Sequence, residues 1–157
     1  MARFLMNVIP CIRGTGGRVV SISDDFRRLR VRLKLNWRTR NLVGTIYGGS
    51  MYAATDPFYM LMLIRILGSG YVVWDKGCTI RFKKPARETT FADFHIDDEM
   101  LAQVHQTVDR DGEGTFTWPL ALKGASGAVY AEFDKVLYVA KKDVYEAKLR
   151  RRDSATA

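Results

Sequence analysis

The spacing of apolar and polar residues changes character along the chain, and each change marks an element. From Gly17 to Asp24, and again from Arg28 to Leu35, the two kinds of residue alternate at the period of a strand. In the second run Arg28, Arg30, Arg32 and Lys34 share one face and Leu29, Val31, Leu33 and Leu35 the other. Asp24 and Asp25 supply a turn between the runs, which predicts a hairpin. From Ser50 the alternation stops. Met51 to Ala54 and then Phe58 to Leu67 are apolar on nearly every side until Arg65 and the stop signal at Gly68 to Gly70, the pattern of a buried helix. Strands are predicted over Tyr71 to Lys83, Thr89 to Ile96, Thr115 to Leu122 with a break at Trp118 and Pro119, and Ala128 to Val139. Asp97 to Val104 reads as a short helix, while Asp109 to Gly112 and Lys123 to Gly127 carry turn chemistry.

One long hydrophobic helix therefore stands between an early hairpin and four later strands. An antiparallel sheet must bury one face, and a helix apolar all round needs cover on every side. An α+β fold with the sheet wrapped about the helix meets both needs, and a partner subunit would cover the remainder. The length of 157 residues suits a single domain, 1–157. Phe4 to Ile12 predicts an amphipathic lead-in helix within residues 1–16, and 143–157 forms a basic tail around Lys148 to Arg152, read as a solubility feature.

With 47% hydrophobic and 27% charged residues the chain reads as globular, and no apolar run approaches the ~20 residues of a membrane span. Asn7 and Pro10 interrupt the only segment resembling a targeting signal. Cys11 and Cys78 are far apart and lack metal-ligand spacing, which argues against a disulfide framework or zinc site and for a cytoplasmic setting. His95 and His105 have no suitably spaced second ligand, so no metal is expected. The net charge of +8 raises the question of phosphates. The cationic face at Arg28 to Lys34 is either a solvated sheet face or a contact for an anion, such as the nucleotide part of coenzyme A or a nucleic acid. The absence of zinc-finger, RNP-type or Gly-x-x-Gly motifs argues against nucleic acid.

Candidate chemistry concentrates between Asn41 and Asp56. An Asn amide can donate to a carbonyl, glycine N–H groups at a helix start can hold an oxyanion, and a carboxylate among apolar residues can act as base or nucleophile. Each has a plainer reading. Asn41 can close a turn, Gly48 and Gly49 can permit close packing, and Asp56 before Pro57 can cap a helix that starts there. If the helix instead starts near Gly48, Pro57 lies inside it and should kink it beside the acid.

The block from Asn41 to Asp56 and the strand Thr79 to Arg87 resemble the hotdog-fold acyl-CoA thioesterases, in particular the phenylacetate-pathway type and a related uncharacterised group, and Gly127 to Tyr138 fits more loosely. The family's His-Gly-Gly is Tyr47-Gly48-Gly49 here, and its helix acid, nine positions after that histidine, falls on Asp56. The position of an assisting Ser or Thr is held by Asp75. The resemblance implies an acyl-CoA thioesterase in which Asn41 and the Gly48 amide polarise the thioester carbonyl and Asp56 activates water or attacks directly. Tyr47, Gly49, Tyr52 and Asp75 would contact substrate, and no cofactor beyond the coenzyme A of the substrate is implied. Met51, Tyr52, Phe58, Tyr59, Met60 and Met62 would favour a fatty or aromatic acyl group, or form ordinary core. Eight residues of helix span about 12 Å, too far for Gly48 and Asp56 of one chain to serve one carbonyl. Two antiparallel helices about a two-fold axis remove the difficulty, so a homodimer or dimer of dimers is expected, as the resemblance also implies. The rival is a non-catalytic acyl-CoA or lipid-binding hotdog protein.

Overall fold

The computed structural model describes residues 2–156, so Met1 of the lead-in segment and Ala157 of the tail lie outside the described residues. The strands are β1 (Gly17–Ile22), β2 (Arg28–Leu33), β3 (Tyr71–Phe82), β4 (Thr90–His95), β5 (Glu113–Gly124) and β6 (Val129–Lys141). They form one antiparallel sheet in the order β1-β2-β4-β5-β6-β3. The alternation read in Arg28 to Leu33 is realised: Leu29, Val31 and Leu33 are buried, while Arg28 and Arg30 face solvent.

The helical segment lies against the buried face of this sheet, the hotdog arrangement. It is two helices rather than one, α3 (Gly48–Ala53) and α4 (Phe58–Leu67), joined by a turn over 54–57. Pro57 has no N–H to continue the ladder. The Thr55 hydroxyl donates to the carbonyls of Met51 and Tyr52, each at 3.0 Å, taking up acceptors that a continuous helix would give to backbone N–H groups. Asp56 therefore sits in the break. Its side chain does not cap α4, whose N-cap is Pro57. Phe58, Tyr59, Met62 and Leu63 fill the core with Val31, Leu33, Phe94, Leu122, Phe133 and Leu137 from the sheet.

Two expectations are corrected. The helix expected to end near Val104 is α5 (Asp98–Asp111), because Leu101, Val104 and Val108 continue its buried stripe and Gly112, at φ 79°, ends it only there. Asp97 caps it by accepting the Met100 N–H at 2.8 Å. The break expected at Trp118 and Pro119 does not occur, and β5 runs unbroken through both. Proline is tolerated there because β5 pairs with β4 only at 122–124, leaving the edge beside Pro119 without a strand partner. Tyr59 wedges into the splay, with its ring 4.9 Å from Phe94 and 5.2 Å from Trp118 and its hydroxyl donating to the Pro119 carbonyl at 3.1 Å.

The lead-in segment is α1 (Ala2–Val8) and α2 (Pro10–Gly14). The Asn7 amide meets Val19 like a neighbouring strand: Nδ2 donates to the carbonyl and Oδ1 accepts the N–H, both at 2.9 Å. The basic tail is helical, α6 (Lys142–Thr156), and Lys148 binds it to Glu113 of β5 at 2.8 Å. Among the described residues no helix is long and apolar enough to cross a membrane. Tyr59→Phe keeps the ring contacts and removes the tie to Pro119. It should lower stability by about 1 kcal/mol, read as a lower urea midpoint at unchanged slope.

Candidate active site around a buried lysine

The inward residues of β6 are Ala131, Phe133, Lys135, Leu137 and Val139, so a lysine occupies a core-facing position in an apolar series. Lys135 is 0% exposed. Such a charge is tolerable only when paired. Its Nζ lies 2.8 Å from Asp56 Oδ1 and 3.5 Å from Asp75 Oδ1, and 5.2 Å from the centroid of the Tyr52 ring. The break between α3 and α4 presents Asp56. A bulge in β3 between Asp75 and Gly77 presents Asp75, shifting the inward phase so that Cys78 also faces the cluster, opposite Lys135 in the β3–β6 ladder.

The environment acts differently on each group. Burial pushes the Asp75 carboxyl above its ordinary range, opposed by Lys135. The neighbouring Asp56 carboxylate, with burial second, pushes the Tyr52 phenol up to about 12. Burial likewise pushes the Cys78 thiol up, which disfavours a reactive thiolate. Tyr52 at neutral pH is thus an O–H donor beside a carboxylate.

Asp56 and Tyr52 line a cleft of ≈ 420 Å³ whose other walls include Ile9, Ile12, Met60 and Leu61. Asn41 and Gly48 line a different cleft, of ≈ 510 Å³, with Met51, Phe82 and Pro85. The two halves of the chemistry read from the sequence thus open into separate clefts of one chain. Asn41 also closes the turn before α3: Nδ2 donates to Thr45 Oγ1 at 2.9 Å, and Oδ1 accepts the Thr45 N–H at 3.0 Å. One of the two amide hydrogens remains for another acceptor. At Gly48 a Cβ would meet the Phe82 ring at 2.8 Å, and at Gly49 it would collide with the Tyr47 ring, so a side chain at either position would displace an exposed aromatic ring. Tyr47 is 59% exposed, at the N-cap of α3. His95 and His105 are exposed. Among the described residues no group of three or more His, Cys, Asp or Glu is placed to hold a metal.

Lys135 was not among the residues singled out from the sequence. The signal was available: one cation in phase with Ala131, Phe133, Leu137 and Val139.

A family model described as a domain of unknown function, DUF4442, matches residues 1–139. No curated protein matches the sequence. Among solved structures the chain is similar to PA5026 of Pseudomonas aeruginosa, described as a protein of unknown function and probable thioesterase, with TM-score 0.77 and 20% identity over 89% of this chain and 93% of that one. It is similar to the thioesterase HI1161 of Haemophilus influenzae, with TM-score 0.66 and 12% identity over 89% and 88% of the two chains. It is also similar to the PaaI protein of the E. coli phenylacetic acid degradation operon, with TM-score 0.62 and 15% identity over 89% of each. At these identities the likeness is one of fold.

Lys135→Met should leave two carboxylates facing each other without a cation. We expect a loss of stability of a few kcal/mol at neutral pH, about 3 in order of magnitude, reduced by the partial exposure of Asp56. The sign of the pH dependence follows from Asp75, whose folded-state carboxyl already titrates above 3.8. Its charge is a cost that disappears on protonation, so the deficit of the variant should shrink as pH falls, beginning above 3.8. Urea unfolding of both proteins across this range measures it.

Proposed function

Since the chain belongs to the DUF4442 family and carries the hotdog fold, we propose that it is a thioester hydrolase acting on a fatty or aromatic acyl-CoA. The observation that carries this reading is the Asp56 carboxylate, fixed by a fully buried lysine on the wall of an otherwise largely apolar cleft. The cleft suits an acyl group and the carboxylate suits attack on the adjoining carbonyl. Asp56 takes a proton from water while the hydroxide adds to the thioester carbon; the C–S bond then breaks and the thiolate leaves, to be protonated. Direct attack by Asp56 gives an acyl anhydride that water opens. Asn41, through its remaining amide hydrogen, and the Gly48 N–H polarise the carbonyl oxygen. Tyr52 donates beside Asp56, Asp75 steadies Lys135, and Tyr47 and Gly49 shape the rim. The chemistry requires no cofactor beyond the coenzyme A of the substrate.

Two protomers complete the site in this reading, because Asn41 and Gly48 open into one cleft and Asp56 into another. The outer edge of β3 supports such an assembly: it is a 12-residue strand end of the sheet carrying exposed Phe82 and Trp74. Cys11 and Cys78 are both free thiols, consistent with a reducing cytoplasm.

A second reading, acyl-CoA binding without turnover, draws on the same lysine, which occupies Asp56 Oδ1 at 2.8 Å, and on Tyr47 standing where the family has histidine. Release of free thiol from a panel of acyl-CoAs separates the two. Hydrolysis should fall by about 10²-fold or more in Asp56→Asn and by a similar factor in Asn41→Ala. Undiminished turnover in Asp56→Asn removes that residue from the mechanism, and binding without turnover in the parent favours the second reading.

The shared site has its own measurement. Asp56→Asn and Asn41→Ala subunits, each inactive alone, should on mixing regain about a quarter of parental activity, because half the two-fold pairs are mixed and each holds one intact centre. No recovery, or an active monomer by light scattering, would end the two-protomer model.

A further inference from the structure

A second concave site lies on the far side of α2 from Asp56. Ile9, Cys11, Ile12 and Thr15 wall the acyl cleft, whereas Arg13, Gly14 and Gly16 open into a separate cleft of ≈ 520 Å³. Five cations line it, Arg13, Arg18, Arg32, Lys34 and Arg38, together with Trp37 and no carboxylate. Among the described residues none of the five forms an ion pair. One strand shows the contrast: Arg30 of β2 meets Asp93 of β4 at 3.3 Å, whereas Arg32, two residues on, stands opposite Phe91 on one side and Arg18 on the other.

Directly opposed like charges weaken a ladder, so the Arg18–Arg32 pair costs the empty fold stability. Arg32 is also the origin of an unmet need, since its Nε is buried and lacks a hydrogen-bond acceptor. A multiply charged anion answers both problems, accepting from Arg32 and relieving the repulsion. Four guanidinium forks favour phosphate oxygens over a single carboxylate. Trp37, 81% exposed with the Arg38 guanidinium 4.9 Å from its ring centroid, adds a flat aromatic surface at the rim.

We propose that this cleft binds a mononucleotide carrying two or more phosphate charges, with its phosphates among Arg13, Arg18, Arg32 and Lys34 and its base against Trp37. The chemistry is shared by free nucleoside phosphates and by the nucleotide half of coenzyme A. The assignment stands on the cleft alone, whether or not the thioester reaction does. A strand of nucleic acid fits less well, because the site is one bounded concavity with one exposed ring rather than a track of stacking surfaces.

Calorimetric titration of the full chain with ADP, 3′,5′-ADP, coenzyme A and a single-stranded oligonucleotide tests it without requiring turnover. The mononucleotides should bind, more weakly as salt rises. Arg32→Gln should weaken them by at least about tenfold while the ligand-free variant melts no lower than the parent, since a like-charge contact has been removed. Lys34→Gln and Arg38→Gln, on exposed side chains away from the Arg18–Arg32 pair, should weaken binding as well and so keep the test decisive if Arg32→Gln folds poorly. Trp37→Ala should lose affinity for nucleotides. Tighter binding of 3′,5′-ADP and coenzyme A than of ADP assigns the site to the thioester carrier, and equal or tighter binding of ADP assigns it to a free nucleotide; both support the proposal. Nucleotide affinity unchanged in Lys34→Gln and Arg38→Gln, or an oligonucleotide that binds where mononucleotides do not, overturns it.

Discussion

An ammonium group with no exposed surface can persist in this core only because two carboxylates are brought to it, and much of the architecture serves that meeting. Lys135 comes from the centre of β6, Asp75 from a bulged edge strand, and Asp56 from a gap in the helical segment. Each acid depends on a local irregularity. A continuous helix through 48–67 would draw residue 56 into its ladder, and an unbulged β3 would not turn both Asp75 and Cys78 inward. Desolvation makes the arrangement demanding, since a buried ion pair returns its solvation cost only when geometry is good and remaining oxygens are satisfied. Asp75 is the weaker contact, at 3.5 Å and without a hydrogen-bond partner for Oδ1, while Asp56 receives the shorter bond at 2.8 Å. The cluster is thus asymmetric, with Asp56 the acid that is both held and open to a cleft.

The regular parts of the fold were legible in the sequence because their signals are local. Alternation from Arg28 to Leu33 fixes a strand and its faces, and the apolar run after Gly48 fixes a buried helical segment. Where neighbours decide, the reading went astray. Pro119 looks like a strand breaker, yet β4 diverges from β5 there and leaves its missing N–H without consequence. Asp109 to Gly112 looks like a turn, but Val108 still packs in the core and the helix continues until Gly112 takes a left-handed conformation.

The site was legible in part, for a related reason. Asp56 stood out as an acid among apolar residues, and Asp75 entered through a family position. Lys135 was hidden because a cation in a strand is ordinarily read as surface, and only its phase with Phe133 and Leu137 betrays it. Phase is a weak signal when the next strand is unknown: the ladder pairing Cys78 with Lys135 is what turns it toward the acids. Asn41 shows the reverse case. Its turn-closing and donor readings looked exclusive in sequence, yet an amide with two hydrogens can close the Thr45 turn and still present one outward.

Charge is disposed in two opposite ways on the two sides of α2. Beside Asp56 one buried cation faces two acids, so the cluster keeps an excess of negative charge while the rest of the cleft wall is largely apolar. On the other side Arg13 and four more cations line a cleft without an acid. Both arrangements cost stability relative to an apolar or mixed-charge surface, the first through desolvation and the second through repulsion. Several surface cations elsewhere avoid that cost by simple pairing, as Arg81 does with Asp134 at 2.7 Å and Lys141 with Asp109 at 2.8 Å. The chain carries 17 acids against 25 Lys and Arg, and among the described residues five of the cations left without an ion pair gather in this one cleft. That local deficit, next to an apolar cleft with a fixed carboxylate, is the charge distribution expected of a surface that receives a ligand with an anionic end and an apolar one.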